Sequence, residues 1–194
     1  HQTNIAHGGD WIDYRLLASG GRTNPWGQEC SDKMIRAGEL VAFDTGMIGP
    51  YGYGADMSRT IICHPAIPTD EQRRLYNLAI ENIEYNLSLI KPGVSFHEIS
   101  EKGWKIPDPY VPNRYPTPVH GMGMGDEWPM IRYPQDWDRS GFDGVIEENM
   151  TLSVESYIGA EGGMEGVKLE EQLLVTADGY QRLSTFPWEE ELLA

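Results

Sequence analysis

Acidic residues set inside apolar, strand-like sequence constrain this chain more than any other feature. Asp44 closes the run Val-Ala-Phe-Asp, Glu155 lies within Leu-Ser-Val-Glu-Ser, and Glu170 within Val-Lys-Leu-Glu-Glu-Gln-Leu-Leu-Val. Their neighbours ask for burial, and a buried carboxylate without a cation or several donors is costly. In a pleated strand, side chains two apart share a face, so each acid is aimed with little freedom. One such residue is ordinarily a surface or salt-bridged acid. Three of them, with Asp56 in Ala-Asp-Met-Ser-Arg-Thr and His120 in Val-His-Gly-Met-Gly, are better explained jointly by metal. Four carboxylates and one imidazole are the donor set for a pair of divalent first-row ions.

The rest of the chain reads as a scaffold for these five. Strands are expected over 12–19, 40–48, 55–63, 150–158 and 166–176, and the Gly-rich turn 49–54 makes a hairpin that carries Asp44 and Asp56 on its two arms. A helix is expected over 70–90, opened by a Thr69/Gln72 capping box and ended by Pro92-Gly93, with Leu75, Ala79, Ile83, Leu87 and Ile90 as its apolar stripe. A second helix runs from Ser95 to about Lys102. The segments 107–118 and 125–144 have no usable period, and the first leads directly into His120. The fold class expected is α+β, with all 194 residues forming one catalytic domain. Because the chain opens at His1 and enters strand-like sequence at once, a preceding N-terminal domain is expected to be missing.

Thirty acidic against fifteen basic residues, net −15, argue against nucleic acid. No apolar run approaches the roughly 20 residues of a membrane span. Cys30 and Cys63 have neither close pairing nor metal-type spacing, which suits free thiols in a reducing, cytoplasmic compartment. His64 and His97 lack any partner pattern and are read as structural.

Phe-Asp-Thr-Gly at 43–46, Ala-Asp-Met-Ser-Arg-Thr at 55–60, Val-His-Gly-Met-Gly at 119–123, Ser-Val-Glu-Ser-Tyr-Ile-Gly at 153–159 and Val-Lys-Leu-Glu-Glu-Gln at 167–172 resemble, in order, the five ligand motifs of the pita-bread metallopeptidase superfamily. That superfamily contains methionine aminopeptidase, prolidase and creatinase. The resemblance implies a curved, mostly antiparallel sheet flanked by helices, and a dinuclear centre held by Asp44, Asp56, His120, Glu155 and Glu170. Glu171 is then the neighbour facing away.

Two departures narrow the activity. The peptidases use a histidine upstream of the first Asp and another just before a Glu-Xaa-Pro. Here there is no histidine between 8 and 63 and none after 120; Trp26 stands near the first position and Asp126 at the second. An imidazole donates to a developing oxyanion, whereas an ionised Asp repels it. The long middle, including Pro-Thr-Pro-Val-His-Gly-Met-Gly-Met-Gly-Asp-Glu-Trp-Pro at 116–129, is similar to the DddP-type dimethylsulfoniopropionate lyases built on this fold. That resemblance implies a sulfonium zwitterion as small-molecule substrate, Asp126 as base and Tyr115 assisting. It also implies two divalent ions (iron, or else manganese, cobalt or zinc) and a homodimer. The sulfonium needs a cation site that cannot hydrogen-bond, which aromatic faces supply; Tyr110, Trp128 and Tyr133 are the candidates beside Tyr115, with Trp137 nearby. Asp126 as a merely structural or surface carboxylate stays open. In those lyases position 46 is often Asp, and here it is Gly. A prolidase-like or creatinase-like hydrolase and a metal-free binding module of the same fold are the alternative readings.

Overall fold

A computed structural model describes residues 1–193. After a short helix, α1 (Gln2–Ala6), strands β1 (Trp11–Ser19), β2 (Leu40–Ile48) and β3 (Gly54–Ile62) form one antiparallel sheet in the order β1-β2-β3. Helices α2 (Asp70–Leu87) and α3 (Phe96–Lys102) follow, then β4 (Val119–Met122), β5 (Asp126–Ile131) and α4 (Pro134–Ser140). Strands β6 (Thr151–Ile158), β7 (Val167–Val175) and β8 (Tyr180–Arg182) complete a second antiparallel sheet, ordered β5-β4-β6-β7-β8. This is the α+β arrangement expected.

The two sheets meet along β3 and β7 through side chains rather than a backbone ladder. Thr60 Oγ1 donates to the Lys168 carbonyl at 2.8 Å, and Arg59 Nη1 donates to the Glu170 carbonyl at 2.8 Å. On β6 and β7 both faces are buried, and they differ in chemistry. Leu152, Val154, Leu169 and Leu173 face α2, whose Leu75, Ala79, Ile83 and Leu87 join them in the core. Ser153, Glu155, Lys168, Glu170 and Gln172 alternate to the other face.

The 70–90 helix expectation is met up to Leu87, with the full Thr69/Gln72 capping box. Ser88 caps it, and Ile90 reaches the core from a looser turn. The irregular reading of 125–144 is corrected, because β5 and α4 lie there. Pro129 and Pro134 hid them: Pro129 sits in an edge strand, where no ladder donor is needed, and Pro134 opens α4, where its fixed φ suits the first turn. The 107–118 stretch contains a 3-10 turn over Asp108–Asn113. Among the described residues no helix is long and apolar enough to cross a membrane.

Candidate metal centre and active-site cavity

Register puts the five residues on facing surfaces. In β2–β3, Asp44 pairs with Ser58 and Gly46 with Asp56, so Asp44 and Asp56 share one face at a diagonal. In β6–β7, Glu155 stands directly opposite Glu170, and His120 pairs with Ser153, two residues from Glu155. All five residues are buried, none more than 4% exposed. One ligand atom each from His120, Glu155 and Glu170, and likewise from Asp44, Asp56 and Glu170, lie within 4.8 Å of one another. Glu170 belongs to both groups and is the natural bridge between them.

The donor set fits divalent metal. Asp44 Oδ1 is buried with no hydrogen-bond partner. Glu155 Oε1 lies 3.2 Å from His120 Nε2 but off hydrogen-bond alignment, so it too is left without a donor. His120 Nδ1 lies 3.1 Å from the Gly121 carbonyl, an acceptor that would hold the Nδ1 proton when Nε2 ligates a metal. Glu171 alternates away and pairs with buried Arg59, whose guanidinium stacks on Trp188.

Lys168 was not singled out in the sequence, and it sits at the heart of the cluster. Its Nζ is 2.7 Å from Glu155 Oε2, 2.9 Å from Glu170 Oε2 and 3.3 Å from Asp44 Oδ2, and it donates to Ser58 Oγ at 2.8 Å. A signal existed: Lys168 is two residues from Glu170, so strand alternation puts both on one face. Burial lowers its tendency to hold a proton, and the carboxylates of Asp44, Glu155 and Glu170 outweigh that and hold it charged.

The acids titrate as a unit. Burial pushes Asp44 and Glu155 upward against the pull of Lys168. Burial, then the Glu170 and Asp44 charges, push Asp56 up to about 10. Burial also works on Glu170, but Lys168 and His120 overcome it and hold that group at about 2. The sign for stability follows from Asp56. Its folded value lies above its ordinary 3.8, so the stability it contributes to the metal-free protein is present below about pH 4 and lost as pH rises toward 10. Metal must displace that proton. Loading at pH 7 is therefore expected to release protons, and affinity to rise with pH until it levels off near 10. Calorimetry in two buffers of different ionisation enthalpy checks both.

A cavity of about 200 Å³ opens on the cluster, lined by Leu16, Tyr14, Trp26, Tyr115 and Glu127 besides the four ligand acids and the imidazole. Tyr115 Oη donates to Glu127 Oε1 at 2.5 Å. Trp26 is carried in by the segment after β1, which Tyr157 Oη ties down by donating to the Thr23 carbonyl at 2.8 Å. The rings of Trp26 and Tyr115 both face Lys168 Nζ, at 5.7 and 5.8 Å, so two aromatic surfaces already converge on a cation. Asp126 is an exposed residue outside the cavity lining, with its carboxylate within 4.8 Å of ligand atoms of Asp56 and His120. Partial desolvation of that carboxyl and the Glu127 charge raise it against the pull of His120, with a further push from Asp13.

Three of the predicted aromatic residues lie elsewhere. Tyr110 and Tyr133 are buried in the core, Tyr133 against Asn82, and Trp128 is exposed and stacked on Phe142 at 4.5 Å. None lines the cavity, since strand alternation and the 3-10 turn point them away from the metal face. Trp137 packs against His97. The aromatic wall comes instead from Tyr14, Trp26 and Tyr115.

The sequence profile of metallopeptidase family M24 matches residues 2–177. The chain belongs to that family. Among M24 relatives it is 40% identical, over 193 residues, to the dimethylsulfoniopropionate lyase DddP of Roseovarius nubinhibens, covering 100% of this chain and 43% of that one. It is 31% identical over 183 residues to a Xaa-Pro dipeptidase of Pyrococcus furiosus, covering 92% and 48%. The solved prolidase from Pyrococcus furiosus superposes with a TM-score of 0.75 at 28% identity, over 93% of this chain and 51% of that one. The chain thus spans about half the length of the M24 proteins it matches, and the pita-bread fold expected from the five motifs is the one it has.

Proposed function

We propose that the whole protein is a metal-dependent carbon–sulfur lyase that cleaves dimethylsulfoniopropionate to dimethyl sulfide and acrylate, with residues 1–194 as its catalytic domain. The observation that carries this reading is that the cavity holds a single imidazole, His120, and that it stands among the ligand candidates. Amide hydrolysis wants an uncommitted donor aimed at the oxyanion. The phenols of Tyr14 and Tyr115, which also line the cavity, are engaged by Asp56 and Glu127. The greater similarity to a lyase of this name than to a dipeptidase supports the same choice.

When bound by Asp44, Asp56, His120, Glu155 and Glu170, divalent ions would neutralise the substrate carboxylate and make the adjacent C–H more acidic. Asp126, raised by partial burial, is the base that takes that proton. The C–H electron pair becomes the new double bond, and the C–S pair leaves with sulfur as neutral sulfide. Trp26 and Tyr115 offer the sulfonium two ring faces that cannot hydrogen-bond. Glu127 holds the Tyr115 phenol in place. Iron is the metal we assign, since oxygen-rich sites with one imidazole suit it, manganese, cobalt and zinc more than softer ions. A homodimer in the cytoplasm completes the proposal, the latter in keeping with free Cys30 and Cys63.

The test is dimethyl sulfide in the headspace over the full-length protein and the sulfonium compound. Asp126→Asn is expected to reduce it by about 100-fold to 10,000-fold, the usual worth of a general base. Sulfide release no greater than that of the variant, or proline release from Xaa-Pro dipeptides, would overturn the lyase reading.

A further inference from the structure

We infer that Tyr14, outside the five-ligand set, is a positioning residue of the metal centre, and that Gly46 exists to admit it. The inference rests on the metal-binding reading above. In β1 the pairing with β2 shifts by one between Ile12 and Arg15, so Asp13 and Tyr14 together stand opposite Gly46. A bulge of this kind re-aims side chains and recurs beside active sites. Here Tyr14 enters the cavity, and its phenol donates to Asp56 Oδ1 at 2.6 Å.

The ring occupies the space a side chain at position 46 would need. A Cβ built on Gly46 falls 2.3 Å from Tyr14 Cε1 and 2.6 Å from Cζ. Gly46 itself pairs with Asp56 across β2–β3, so the ring, the missing side chain and the carboxylate form one packed unit. The phenol is the donor in this pair. Its proton is committed to one oxygen of Asp56. The other oxygen is left for metal, and the carboxylate plane is fixed. Partners that orient a ligand in this way are typically worth about 10- to 100-fold in metal affinity.

The experiment measures metal affinity by chelator competition, and metal content, in the full-length protein. Tyr14→Phe keeps the ring and drops the hydroxyl. It is expected to weaken binding at one position by about 10- to 100-fold with an unchanged circular dichroism spectrum. Gly46→Ala should do the same by expelling the ring, and should cost nothing further in a Tyr14→Ala background. Wild-type affinity in Tyr14→Phe would overturn the role of Tyr14 while leaving the metal centre standing. An equal cost of Gly46→Ala with and without the Tyr14 ring would overturn the packing lock. Absence of bound metal in the wild type after incubation with ferrous or manganous ion would overturn the metal-binding reading and this inference with it.

Discussion

On the proposed lyase reading, Glu170→Gln is expected to lower sulfide production by about a thousandfold or more and to leave fewer metal ions per chain. Glu170 is the carboxylate shared by both ligand groupings. Its Oε1 meets His120 Nε2 at 3.2 Å, while its Oε2 receives Lys168 Nζ and Ser58 Oγ, each at 2.9 Å. Glutamine keeps the shape and can still meet Ser58, but it loses the charge that joins the two halves of the centre. Metal-assisted charge stabilisation is worth several kcal/mol, and roughly 4 kcal/mol corresponds to about three decades of rate. Glu171→Gln is the matched control. Its side chain lies on the opposite face with Arg59, so it is expected to alter stability and leave metal content unchanged. Elemental analysis beside the headspace assay reads both. Full metal content in Glu170→Gln would mean that the bridge has been misplaced.

Lys168→Met should destabilise the metal-free protein by about 3–5 kcal/mol, the usual cost of removing one partner from a buried ion pair. That is a large share of the roughly 5–15 kcal/mol that holds a domain together. Methionine matches the length of the stem, so packing is nearly conserved, but the ammonium that meets Asp44, Glu155 and Glu170 is lost. Added divalent metal is expected to restore most of the loss, because its charge takes over the same compensation. Thermal melts with chelator and with metal separate the two states. A loss that metal does not repair would argue that Lys168 supports the sheet itself rather than the charge balance of the centre.

Much of this centre was legible in the chain. Period-two alternation fixes the face of Glu155, Glu170 and Glu171 once β6 and β7 are recognised, and a capped apolar stripe fixes α2. Motif order was enough for the fold, because five separated segments carry it. The aromatic wall was not legible. Tyr110, Trp128 and Tyr133 are near His120 in sequence, yet a loop residue's direction depends on what it packs against. Core burial took Tyr110 and Tyr133, and Phe142 took Trp128.

By itself the sequence determined which acids must be buried, and therefore that something positive must meet them, because local apolar patterning is a property of the chain. Only the tertiary structure decided what that positive group is without metal, namely Lys168, and which rings face it. Those outcomes depend on two sheets meeting at β3 and β7 and on a one-residue slip in β1 that delivers Tyr14 against Gly46. Register and sheet-to-sheet contact are long-range choices, set by packing between segments from about thirty residues apart (β1 and β2) to more than a hundred (β3 and β7), and no local pattern records them.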